Sequence, residues 1–146
     1  MEINKTHGAI IPKSAISLIS YDAVYLPNSI KSYYKYVDEI ILGLDKDRIS
    51  WSGHKFSFDE NKLWVELKKI DTEKKIHIIE DNFHSSKIPI ENDNHERNVL
   101  KGHCTYDWIF SIDADEDLVN AKDFFNKWCP LVAPYRHKLD ISFTWL

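Results

Sequence analysis

Two aspartates one residue apart, Asp113 and Asp115, open an acidic stretch, Asp113-Ala114-Asp115-Glu116-Asp117, directly after an apolar run from Trp108 to Ile112. Paired carboxylates of this kind are hard oxygen donors. They suit Mg²⁺ or Mn²⁺ carrying a phosphorylated substrate rather than a softer metal. Such a cation would neutralise charge growing on a departing nucleoside diphosphate. Three further groups could join them. Ser20 and Tyr21 close an earlier apolar run, Asp45 closes another, and Arg97 precedes the run that leads to Asp113. Ser20, Tyr21 and Asp45 could bind a base or ribose, and Arg97 could place a fixed positive charge near phosphates. Asp45 serves equally well as a turn at a strand end, and Arg97 as a structural ion-pair partner. Asp22 reads as a loop residue, and Glu116 and Asp117 as solvated neighbours of the aspartate pair.

These residues can cooperate only if the chain brings strand ends together, and its alternation predicts that it does. Ala15–Ser20 is a short apolar strand, followed by a helix with Pro27 in its first turn and Leu26, Ile30, Tyr33, Tyr34 and Val37 at helical spacing. Ile40–Leu44 is a second strand ending at Asp45. Ser57-Phe58-Asp59-Glu60 has the form of a capping box and predicts a helix presenting Leu63, Leu67 and Ile70 on one face. Ile76–Ile79 is a third strand. Asp93-Asn94-His95-Glu96 predicts the N-terminus of a short helix through Arg97, Leu100 and His103, and Trp108–Ile112 is the fourth strand. Asn120 to Asp123 predicts the start of one more helix, stopped by Pro130, and Leu139–Leu146 a fifth strand. Strands alternating with helices make an α/β fold, a mostly parallel sheet with helices on both faces. Ligands of such sheets lie outside the carboxyl ends of the strands, where all these polar groups fall.

Composition excludes several classes. The 146 residues suit a single domain, 1–146, with a polar lead-in over 1–13; 43% are hydrophobic and 13% aromatic, which argues for a folded chain. A formal net charge of −4, without a basic block, weighs against nucleic acid as the main partner. Two cysteines, Cys104 and Cys129, lack metal-ligand spacing and point to a reducing, cytoplasmic setting. No apolar run is as long as a transmembrane segment, which leaves attachment to the inner face of a membrane open. The last strand is apolar to its end, so the chain reads as a truncated fold, and pairing of that strand with a copy of itself would give a homodimer.

From Ile16 to Leu118 the chain resembles the donor-binding half of family 2 glycosyltransferases, which have the Rossmann-like GT-A fold. It resembles most the branch that includes lipopolysaccharide-core glucosyltransferases. The resemblance is carried by Leu26-Pro27-Asn28-Ser29-Ile30, Val37-Asp38-Glu39-Ile40-Ile41, Glu96-Arg97-Asn98 and Asp107-Trp108-Ile109-Phe110-Ser111-Ile112-Asp113-Ala114-Asp115-Glu116. It implies a nucleoside-diphosphate sugar donor, most often uridine-linked, Mn²⁺ or Mg²⁺, and inversion at the anomeric carbon. The acceptor would be a glycan or lipid-linked hydroxyl, as in cell-envelope polysaccharide biosynthesis. By the same match Asp45 lies near the nucleobase, and Asp113 and Asp115 serve the diphosphate and metal. Two departures stand out. Leu44-Asp45-Lys46-Asp47-Arg48 lacks the Gly and Ser that usually follow this aspartate, which leaves Asp45 and Asp47 both open as the nucleotide contact. The family draws its acceptor site and catalytic base from sequence well beyond the aspartate pair, where about thirty residues remain here.

Two other classes therefore stand beside a transferase: a nucleotide-sugar-binding module without catalysis, and a structural α/β interaction domain. Sharper motifs fail. The Asp113 stretch imitates an EF-hand loop, but Leu118 replaces its glycine and Phe124 its closing glutamate. An aspartyl-nucleophile phosphatase would need downstream motifs for which there is little room. The seven histidines do not form a zinc pattern. Among five tryptophans, Trp51 is the candidate for a sugar platform.

Overall fold

The computed structural model describes residues 11–135, which group as two compact units, Pro12–Val119 and the segment from Asn120. Leu139–Leu146, the expected fifth strand and pairing edge, lies outside the described residues.

The first unit is α/β, with a four-stranded, wholly parallel sheet. Its strands are β1 (Lys13–Ile19), β2 (Glu39–Asp45), β3 (Ile76–Asp81) and β4 (Trp108–Ser111), in the order β3-β2-β1-β4. Its helices are α1 (Leu26–Tyr33), α2 (Glu60–Ile70) and α3 (Pro89–His103). The central strands are covered on both faces, which is why they read as continuous apolar runs rather than alternating ones. Six of the seven β2 residues are buried. Ile16 and Ile41, paired in register, pack with Leu100 of α3 and Phe83. Phe110 of β4 meets Tyr33 of α1 edge-on, with ring centroids 5.4 Å apart. Gly43 lets α3 close onto β2. A Cβ there would stand 2.7 Å from Glu96 Oε1 and 3.0 Å from a Leu100 methyl, so any larger residue would displace these side chains.

Three local expectations change. The cap of α2 is Asp59, whose Oδ1 accepts the Lys62 N–H (3.0 Å), rather than Ser57. Glu60, the other half of the expected box, instead pairs with Arg48 at 2.8 Å. The helix α3 begins at Pro89, a turn before Asp93, because a first-turn proline gives up only an N–H that would be unpaired anyway. Asp93 and Glu96 thus lie inside a fifteen-residue helix and are free for other work. Pro130 does not stop the last helix. A wider π turn over Phe124–Trp128, with the Cys129 N–H reaching back to the Phe124 carbonyl, precedes a further helical turn, Cys129–Val132. That widening accommodates a residue that cannot donate to the carbonyl four positions back. In this second unit Ala121, Phe125 and Cys129 are buried, and they recur every four residues along one helical face. Among the described residues no helix is long and apolar enough to cross a membrane.

Candidate functional site

The sheet order sets the site. The chain steps outward from β1 through β2 to β3, and α3 then returns it to the far side of β1, where β4 pairs. The direction of winding reverses between β1 and β4, and a crevice opens beyond their carboxyl ends. Ser20, Tyr21 and Asp22 leave β1 into it, and Asp113 to Asp117 leave β4.

The loop after β4 is held from both helical layers. Ile112 continues the pairing by donating its N–H to the Ile16 carbonyl. Ser29 Oγ of α1 donates to the Asp113 carbonyl (3.3 Å), and Ser32 Oγ accepts the Leu118 N–H (3.0 Å). Glu116 folds back so that Oε2 accepts the Asp113 N–H at 2.9 Å, which makes it a loop clasp. Ala114 is buried between two aspartates that are not.

From α3, Arg97 reaches three partners at once. Nη2 meets Asp113 Oδ1 at 2.7 Å, Nη1 donates to Ser111 Oγ at 3.0 Å, and Nε bridges both oxygens of Asp93 at 3.1 Å. Burial would lower its pKa, but the hydrogen bonds to Asp113 and Asp93 outweigh that and raise it. A guanidinium so held is a fixed charge at the edge of the crevice. Asn98, its neighbour in the sequence pattern, is exposed.

Asp22, read from sequence as a plain loop residue, faces the aspartate pair. Its pKa is raised, first by burial and then by the charges of Asp115 and Asp113, against the lowering effect of a backbone hydrogen bond. Its Oδ1 is buried without a hydrogen-bond partner, and so is Ser20 Oγ on the same turn. A buried oxygen left in this state is costly, and a cation would satisfy it. Among the described residues no three Asp, Glu, His or Cys side chains converge as a complete metal-binding group. The donor set fits a cation that takes only part of its shell from protein and the rest from phosphate oxygens and water, the habit of Mg²⁺. Because Arg97 engages Asp113, the free carboxylate of the pair is the exposed Asp115.

Asp45 lies at its expected strand end but is otherwise occupied. It is 3% exposed, and its oxygens accept four backbone N–H groups: Asp47 and Ile49 on Oδ1, Phe83 and His84 on Oδ2. Those bonds join the loops after β2 and β3, and they use the acceptor capacity of a carboxylate. Asp45 thus holds backbone, while Asp47 beside it is exposed. Beneath this knot lies Glu96, whose sequence pattern suggested part of a helix cap. It is 7% exposed with Oε1 unpartnered, and burial, then Asp45 and Asp93, push its pKa up to about 8 against the opposing pull of Arg97. No local pattern distinguishes such a residue; the nearest hint is Gly43, whose missing side chain leaves the gap that its carboxyl fills. Trp51 is 43% exposed in a loop tied down through its carbonyl to Asn92 Nδ2.

No protein-family model matches this chain, and neither does any curated protein or solved structure.

Proposed function

We propose that the crevice between β1 and β4 binds a nucleoside-diphosphate sugar, with uridine the expected base, and that the protein transfers the sugar with inversion to a hydroxyl of a glycan or lipid-linked acceptor. The observation that carries this reading is the opposition of two halves of the crevice. On one side an arginine is locked onto Asp113; on the other, Asp115 confronts a buried Asp22 oxygen that has no partner. A diphosphate is held through positive charge, and the fixed arginine together with a carboxylate oxygen that a metal would satisfy supports this reading.

Asp115 and Asp22 would hold Mg²⁺ or Mn²⁺ beside Asp113, which Arg97 engages. When bound, the cation supplies Lewis-acid neutralisation of the departing diphosphate. Arg97 adds a positive charge that needs no reorganisation, because Asp93 and Ser111 already fix its plane. Ser20 Oγ lies buried on this turn, so direct contact with the ribose or base falls to its neighbour. Tyr21, 70% exposed beside it, offers a ring face.

One observation favours a second reading, a nucleotide-sugar-binding module without turnover. Glu116, the nearest glutamate to the aspartate pair, is used as a backbone clasp, and Asp45 and Glu96 are buried in the scaffold. A base for the acceptor hydroxyl is not found among them. Calorimetric titration with UDP tests the common part. Binding should require Mn²⁺ or Mg²⁺ and should disappear in Asp115→Ala, whereas tight binding without metal would overturn both readings. Release of UDP from UDP-hexose then separates them, since the module would bind and release none.

A further inference from the structure

Tyr21 also lines a cavity of about 310 Å³, bounded by the β1–α1 loop and the first turns of α2. Its apolar walls include Tyr21, Phe58 and Leu63, and its polar ones Asp59, Lys62 and Glu66. Nothing in the crevice chemistry uses the residues from α2.

The walls are firm. Phe58 stacks on Phe56, with planes 17° apart and centroids 6.2 Å apart, and meets Trp64 edge-on at the same distance. Leu63 is buried. Asp59 is fixed by capping α2 through Oδ1. The volume stands at the lower end of the range for small-molecule sites, enough for one or two rings.

The chemistry narrows the occupant. Two carboxylates against one ammonium leave the cavity with a negative balance, which disfavours a phosphate or any other anion. A bare cation would meet the Lys62 ammonium, and Asp59 already accepts a backbone N–H. A nucleobase such as uracil would stack, but it presents mostly carbonyl acceptors, which two carboxylates cannot satisfy. A pyranose ring matches both halves of the lining. Its C–H faces lie against aromatic rings, while its many O–H groups donate to Asp59 and Glu66 and accept from Lys62. We infer that this cavity binds a neutral sugar ring. That this ring belongs to the acceptor glycan rests on the transfer reading above; the recognition of the sugar does not.

The test is amide and side-chain NMR of the whole chain, titrated with methyl α-glucoside, maltose and lactose into the tens of millimolar. At least one should shift the signals of Tyr21 and of residues 57–66 while leaving Asp113–Glu116 in place. Lys62→Ala and Glu66→Gln, at side chains that are not buried, should each weaken that sugar several-fold without changing the fold's dispersion. The inference falls if no sugar shifts these signals, if both variants bind like the parent, or if UDP or inorganic phosphate shifts residues 57–66 and displaces the sugar. A parallel titration with UDP and Mn²⁺, read at Asp113 and Asp115, keeps the two proposals apart. Sugar binding without a UDP response would sustain the cavity and remove the transferase.

Discussion

The two ends of the sheet's carboxyl edge use aspartate in opposite ways. At the β2–β3 end, Asp45 is buried and both oxygens are saturated by four backbone N–H groups. At the β1–β4 end, Asp115 is exposed and Asp22 keeps one buried oxygen with no partner. Both positions follow an apolar strand. What separates them is the path of the next few residues. The chain after Asp45 turns back at once, with Arg48 in the left-handed region (φ 55°) and bonded to Glu60 and Glu80, and so points main-chain donors inward. The chain after Asp113 has its own donor satisfied by Glu116 and by turn bonds, which leaves carboxylates over for something else. A strand-end aspartate is structural where the loop turns its amides onto it, and available where the loop satisfies itself.

The largest effect should come from breaking the saturated end. Asp45→Ala strips four buried or half-buried N–H groups of their acceptor, and it should cost about 3–5 kcal/mol of unfolding free energy by urea titration. Asp45→Asn should cost nearly as much, because its amide nitrogen would face two donors. If either variant keeps full stability, the loops do not depend on this carboxylate and the contrast fails.

Next comes the buried carboxyl beneath it. Glu96 has a folded-state pKa of about 8 against 4.5 when unfolded. Between those values the folded protein binds a proton that the unfolded chain has released, so stability falls as pH rises from 4.5 to 8 and levels off above. The loss should be on the order of a few kcal/mol, since a pKa that differs by one pH unit between folded and unfolded chains corresponds to about 1.4 kcal/mol. Glu96→Gln should abolish this slope and be the more stable protein at pH 8. Denaturation midpoints of both proteins across pH 5–9 measure it, and parallel curves would show that Glu96 is charged throughout.

How much of this could be read from sequence follows the range of the interactions. The four strands of the first unit were legible, because buried apolar runs such as Ile40–Leu44 and Trp108–Ile112 declare themselves within a few residues. The parallel pairing followed from the alternation of strands and helices; the order β3-β2-β1-β4, which opens the crevice between β1 and β4, did not. The start of α3 did not, because Asp93 and Glu96 sit three apart like a capping pair while Pro89 does the work of the first turn. Arg97 reads from sequence equally as a phosphate contact or a structural ion-pair partner, and its lock on Asp113 needs the crossover to bring residues sixteen apart within 2.7 Å. The roles of Asp45, Asp22 and Glu96 were hidden for the same reason. Each is decided by groups brought from other strands and helices, and an aspartate carries no mark of which amides will meet it.

The open end should respond in binding rather than stability. Asp115→Ala removes an exposed side chain, so unfolding free energy should move by less than about 0.5 kcal/mol. UDP affinity in the presence of Mn²⁺ should nevertheless fall at least tenfold, about 1.4 kcal/mol. An equal loss in stability and binding would put Asp115 in the same class as Asp45.

The smallest effect is the most discriminating, because it has the opposite sign. Asp22→Asn keeps the shape of the side chain and removes a charge that Asp115 and Asp113 repel. Without metal, the variant should be slightly more stable than the parent, by a few tenths of a kcal/mol once screening by solvent is allowed for. The gain should grow as pH rises through the raised pKa of Asp22, where the parent is forced to carry all three charges. With Mn²⁺ the order should reverse, since the cation would relieve the parent's repulsion and find one fewer charged oxygen in the variant. Thermal midpoints of the two proteins with and without Mn²⁺ decide the matter. A metal-independent difference of constant sign would mean that Asp22 is part of the scaffold, and that the two ends of the sheet differ less than their hydrogen bonds suggest.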